Sequence, residues 1–182
     1  MATPGTNSFL QRLIGAAALD TAIYEEVEAD RGATGQAFAV VIGSSLAAGI
    51  GARGLGGTSP ANIAFISMVA LLAWAAWAVV TFQIGGRLLP EPQTRVDVGE
   101  LLRTIGFAAT PGLLRVFGVL PGVTLPVFAI TAVWMLAAMI VAVRQALDYT
   151  STGRAIAVCV LGWTLAIAIA VVLGVLFGPT VS

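Results

Sequence analysis

Four long stretches of this 182-residue chain carry no charged side chain. They lie between Arg31 and Arg53, between Arg53 and Arg87, between Arg115 and Arg144, and from Arg154 to the end, and they hold 21, 33, 28 and 28 residues. Uncharged apolar runs of roughly 18 residues or more read as membrane-spanning helices, because only a helix satisfies its own backbone in hydrocarbon. Composition agrees: 10% of residues are charged and 58% apolar, against roughly 25% charged in a soluble domain. The expected fold is all-α, a polytopic membrane bundle of five transmembrane helices preceded by short amphipathic N-terminal helices.

The same composition removes several functions. A lone Cys159 excludes a disulfide scaffold. The absence of histidine removes His-ligated zinc and histidine-based catalysis. Nine basic against nine acidic residues, with no basic patch, speak against nucleic acid as a partner. No catalytic residue, cofactor or metal is expected.

The five expected spans are about 36–52, 61–86, 101–122, 124–143 and 155–177. The third contains Thr104, Thr110, Pro111 and Arg115. Pro111 should kink it. Arg115 stands roughly 20 Å along it, toward the far interface, where it can snorkel outward. Arginine placement argues that this segment crosses. With the N-terminus in the cytoplasm, Arg12, Arg31, Arg87, Arg95, Arg103, Arg144 and Arg154 fall inside, and Arg53 and Arg115 outside. All nine acidic residues then share the inner side.

The chain divides into a cytoplasmic amphipathic and acidic segment, 1–35, and a transmembrane domain, 36–178. The start lacks the basic and apolar regions of a signal peptide. Phe9, Leu10, Leu13, Ile14 and Ala17 share one helical face, with Gln11 and Arg12 off it, as in a helix lying in the interface plane. Asp20 can cap a second short helix, whose acids would crowd its N-terminal side.

Small residues recur every fourth position in the last span, at Gly162, Ala166, Ala170, Gly174 and Gly178. Such a ridge serves close packing within the bundle or between copies in a homo-oligomer. The first span has the rows Gly43, Ala47, Gly51 and Ser44, Ala48, Ala52. Trp74, Trp77, Trp134 and Trp163 read as lipid-facing or packing residues rather than ligand platforms. Gly49 to Gly54 match G-x-G-x-x-G, but at the end of a membrane helix, where the strand and helix of a dinucleotide site are missing. That stretch is expected to be a flexible outer loop, and Cys159 an inert buried thiol.

The candidate site is a charged layer under the bundle, made of Glu25, Glu28, Asp30, Arg103, Arg144, Asp148 and Arg154. Arg144 and Asp148 are four apart and can pair, and residues 150 to 152 can cap the last span. Such a layer either locks the helix ends or binds a cytoplasmic protein, an anionic lipid headgroup or an ion. Pro111 and Arg115 mark a second polar position within the bilayer.

Three segments resemble the bacterial branch of the Yip family, five-span membrane proteins that interact with Ypt/Rab GTPases: Tyr24-Glu-Glu-Val-Glu-Ala-Asp30, the stretch from Leu101 to Leu114, and Trp134 followed by Ala142 to Leu147 and Thr152 to Ala155. The resemblance covers about residues 10 to 178. It implies five spans with a cytoplasmic N-terminus; eukaryotic relatives act in vesicle trafficking and membrane shaping, and carry a longer cytoplasmic region than residues 1–35. The lysine-free, Ala/Gly/Val/Arg-rich composition suggests a GC-rich bacterium and its inner (plasma) membrane. The expected function is a non-enzymatic scaffold, adaptor or membrane organiser working through the charged face. The alternative is a small ion or solute channel or transporter with a polar site near the third span.

Overall fold

A computed structural model describes residues 7–55, 59–94 and 97–177. Most of these residues are helical, and no strand occurs among them. The helices are α1 (Phe9–Ala17), α2 (Thr21–Ala29), α3 (Ala33–Gly51), α4 (Pro60–Val80), α5 (Val98–Phe107), α6 (Thr124–Ala146) and α7 (Thr152–Phe177). Helix α3 continues in a tighter 3₁₀ turn to Leu55, and α4 continues in a wider π-helical stretch, Thr81–Leu88. A second 3₁₀ segment, Thr110–Val119, follows α5.

Four of these units are long and apolar enough to cross a bilayer: Ala33–Leu55, Pro60–Leu88, Thr124–Ala146 and Thr152–Leu176. Helices α4, α6 and α7 leave large apolar side chains exposed, among them Leu72, Val79, Ile130, Val133, Leu161 and Val171. A helix apolar on every side with uncovered Leu, Ile and Val matches a lipid surround. The chain is an integral membrane protein.

The expected third span is not one kinked helix. α5 ends at Phe107, Ala108 and Ala109 make a turn, and the chain resumes as a 3₁₀ helix with Pro111 in its first turn. Proline has no N–H to give and clashes with the preceding turn, so it breaks the helix rather than bending it. The two halves nevertheless run beside α3 for most of its length. Gly106 packs on Ala37, Gly112 on Ser44, Gly51 on the Arg115 carbonyl, and Gly54 on the Gly118 carbonyl. The 12 residue steps from Gly106 to Gly118 keep pace with 17 steps of α3 and its extension, from Ala37 to Gly54. At roughly 2.0 Å per 3₁₀ residue and 1.5 Å per α residue, the two paths are about equally long.

The small-residue rows of the first span are the surface on which this segment lies. A Cβ on Gly51 would collide with the Arg115 carbonyl oxygen. The glycines of the G-x-G-x-x-G stretch are therefore contact points, not a flexible loop. Gly49 admits Ser67 and the Ile63 carbonyl, and Gly54 the Gly118 carbonyl; Gly56 and Gly57 lie outside the described residues. The last-span ridge behaves unevenly. Gly162 receives the Trp77 indole, and Gly174 has nothing within 4 Å among the described residues. Gly178 and the side chains of Ala166 and Ala170 are outside what is described.

Candidate functional site: the charged end of the bundle

The start of α3, the start of α5, the end of α6 and the start of α7 meet at one end of the bundle, and α1 and α2 cover it. Capping fixes the two short helices. Ser8 and Gln11 form a reciprocal capping box at α1, and Asp20 accepts from the Ala22 N–H at α2, at 3.0 Å. The acids of α2 do not crowd its first turn as expected; Glu25, Glu26 and Glu28 follow in its second half.

Arg12 is the centre of the first polar cluster. It is only 3% exposed, while Leu10 and Ile14 on the same helix are 64% and 62% exposed. Its Nε donates to Glu26 at 3.0 Å, one terminal nitrogen to Asp30 at 2.7 Å, and the other to Gln36 at 3.0 Å. One guanidinium thus ties α1, α2 and α3 together. The hydrogen bond from Arg12 holds the Asp30 carboxyl below its ordinary range.

Arg103, on α5, is also buried, at 5%. Among the described residues it pairs with no carboxylate; it donates to the backbone carbonyls of Val27 and Glu28, the first at 3.0 Å. These are the last carbonyls of α2, where a cation satisfies unpaired acceptors and complements the helix dipole.

Glu91 organises the second cluster. Its carboxylate accepts from the Thr150 N–H at 2.9 Å, the Thr150 hydroxyl at 2.6 Å and the Ser151 N–H at 3.1 Å, with Arg154 Nε at 3.8 Å. The Thr150 hydroxyl above all holds its pKa down to about 2. A carboxylate at the entrance of α7 faces the positive end of that helix. Ser151 adds the cap oxygen, accepting from the Arg154 N–H. Nearby, the Tyr149 hydroxyl lies 2.7 Å from the Gly85 carbonyl and 2.9 Å from the Leu89 carbonyl. Gly85 belongs to the π-helical stretch, and a Cβ there would collide with Leu147.

Between the clusters lies a cavity of about 430 Å³ lined by Glu25, Glu28, Glu100, Arg144, Gln145 and Asp148, among others. The Glu28 carboxyl is pushed up to about 7, by burial first and then by the charges of Glu100, Asp148 and Glu25. Gln145 donates to Glu25 at 2.9 Å. The expected pair of Arg144 with Asp148 does not form. α6 ends at Ala146, and Asp148 turns into the left-handed region at φ 52°, off the helical face that four-residue spacing assumes. Arg144 Nε donates to the Tyr149 carbonyl instead, at 3.3 Å.

Of the expected site residues, Glu25, Glu28, Arg144 and Asp148 share the cleft; Arg103 braces its floor; Asp30 and Arg154 belong to the flanking clusters. Pro111 and Arg115 are elsewhere. Arg115 packs beside Gly51 near the opposite end of α3. It does not reach outward as expected. Its Nε donates to Thr131 at 3.4 Å, its guanidinium lies 5.5 Å from the Phe128 ring centre, and it lines an open apolar cavity between α4, α6 and α7. Residues not singled out from the sequence are Arg12, Glu91 and Tyr149. Only Arg12 left a signal, as a cation off the apolar stripe of a short amphipathic helix.

No curated protein and no solved structure matches the chain. The family model described as the Yip1 domain matches residues 21–173, from the first residue of α2 into α7, so that the cleft, both clusters and the broken third segment lie almost wholly within it. The chain is a member of the Yip1 domain family.

Proposed function

We propose that this protein is a non-enzymatic membrane scaffold or adaptor that binds a cationic segment of a cytoplasmic partner in the acidic cleft. One observation carries this reading: Glu25, Glu28, Glu100 and Asp148 surround an accessible cavity whose walls are braced by Arg12, Arg103 and Glu91. A braced cleft in which four carboxylates outnumber the single cation, Arg144, attracts and orients a basic partner, because its shape need not be reorganised on binding. The acidic lining favours a basic peptide over an anionic lipid headgroup. The topology belonging to this reading has five crossings, the third made by α5 and the 3₁₀ segment alongside α3. It keeps the N-terminus in the cytoplasm, in a bacterial inner membrane. The transport reading has less support, since the Arg115 cavity and the acidic cleft share no lining residue.

A photoreactive side chain at position 25, activated in native membranes, tests the proposal. We expect a discrete protein adduct that disappears in the double reversal Glu25→Lys, Asp148→Lys, assayed with the photoreactive group moved to Gln145. An adduct that survives the reversal would refute the charge-based docking.

A further inference from the structure

The cavity lined by Arg115 lies in the other half of the molecule and has a different chemistry. Its volume is about 380 Å³, within the range of roughly 300–1,000 Å³ that holds small ligands. One face of α4, carrying Ile66, Val69 and Trp74, forms one wall; Met135 and Met139 of α6 and Trp163 of α7 form the others. The walls are apolar apart from a few donors. Arg115 has five N–H groups, and its one hydrogen bond among the described residues is to Thr131. No carboxylate among the described residues stands within ion-pair distance of it; every acid in those residues' ion pairs belongs to the charged end. Two further donors of the same wall, the indole N–H groups of Trp74 and Trp77, are buried without an acceptor, and Trp77 is only 2% exposed.

Buried donors without acceptors, and a cation without a counter-charge, are costly in a low-dielectric medium. Here the Arg115 cation borders an apolar space whose lining holds no carboxylate, while the Trp74 and Trp77 indole N–H groups are sealed within its wall, that of Trp77 against Gly162. The missing element is an acceptor with negative charge attached to an apolar body. We infer that this cavity binds a single-chain carboxylate amphiphile, a long-chain fatty acid, with its carboxylate on Arg115 and its chain along α4 and α6. A guanidinium pairs with a carboxylate through two parallel hydrogen bonds. A single cation and a volume of this size fit one charge and one chain better than a two-chain phospholipid. This site is independent of the partner-binding cleft and does not rest on it.

Three of the four tryptophans line the cavity, Trp134 being the exception, so bromine quenching of their fluorescence reports occupancy. The full chain would be placed in phosphatidylcholine nanodiscs and titrated with a dibrominated long-chain fatty acid, its methyl ester, and phosphatidylglycerol and phosphatidylcholine carrying the same chains. Saturable quenching by the free acid alone is expected. Arg115→Gln should weaken it about tenfold, the loss of one charge-assisted hydrogen bond. Ala132→Leu, which narrows the cavity and leaves Arg115 in place, should abolish saturation, so the test survives a poorly folding arginine variant. Equal quenching by acid and ester, or quenching unchanged in both variants, would overturn the site. Saturation by brominated phosphatidylglycerol but not by the acid would overturn the single-chain assignment.

Discussion

The two ends of this bundle are built on opposite principles. At the charged end, helix termini are held by side chains reaching across the sequence: Arg12 to Glu26, Asp30 and Gln36, Arg103 to the end of α2, and Glu91 to the start of α7. At the other end, contact comes from the absence of side chains, where Gly51, Gly54 and Gly112 let backbones and neighbouring side chains approach. Lipid gives helices no hydrophobic reason to associate, so close packing must replace it. Near the bilayer surface, directional bonds do that work, and the segments they connect can be as short as α1 and α2.

This contrast predicts a ranking of damage. The largest loss is expected at Arg12. Arg12→Ala leaves Glu26 and Asp30 without their cation and should cost about 3 kcal/mol, the scale for breaking a buried pair from one side; melting in detergent would measure it. Arg12→Lys should recover only part, because a single ammonium cannot reach three acceptors in a fixed fork. Glycine at the other end comes next. Gly51→Ala must displace the Arg115 backbone and should cost about 2 kcal/mol, in the range of overpacked cores. Gly174→Ala, with no described residue within 4 Å of the added methyl, should be neutral or slightly stabilising through helix propensity. Equal effects of the two glycine changes would erase the distinction between packed and unpacked glycines.

Smaller effects follow pH, and the two carboxylates move in opposite directions. Glu91, held at about 2 in the fold against an ordinary 4.5, contributes stability that is full above about 4.5 and is lost as pH falls toward 2. Glu91→Gln should flatten that acid limb. Glu28, raised to about 7, binds its proton more tightly folded than unfolded. It therefore lowers stability as pH rises from about 4.5 to 7. Glu28→Gln should raise the melting temperature above pH 7 and leave it nearly unchanged below pH 4.5.

The apolar architecture was legible in the sequence because charge-free length alone fixes a membrane helix. The four long spans lie where those runs predict, with ends shifted by a few residues at caps such as Ser59 and Ser151. Pro111 announced the interruption of the third segment, though not its resumption as a 3₁₀ helix, whose pitch is set by keeping pace with α3. The gathering of charges was legible from arginine distribution; their pairing was not. Arg144 and Asp148 have the right spacing only if the helix continues, and the left-handed turn at Asp148 that ends it has no glycine to mark it. Arg12 and Glu91 act through partners as far as 24 and 63 positions away, which local periodicity does not reveal.

The central claim is that the ionisable side chains of α2, of the 81–94 region and of the α6–α7 connection lie beneath one leaflet, with the third segment crossing beside α3. Single cysteines introduced as Glu25→Cys, Gln93→Cys and Asp148→Cys, with Leu120→Cys as the opposite marker and Cys159 replaced by alanine, test it directly with a membrane-impermeant maleimide. The account predicts that positions 25, 93 and 148 react only after cells are permeabilised and that position 120 reacts in intact cells. Positions 25 and 148 reacting from opposite sides would contradict it.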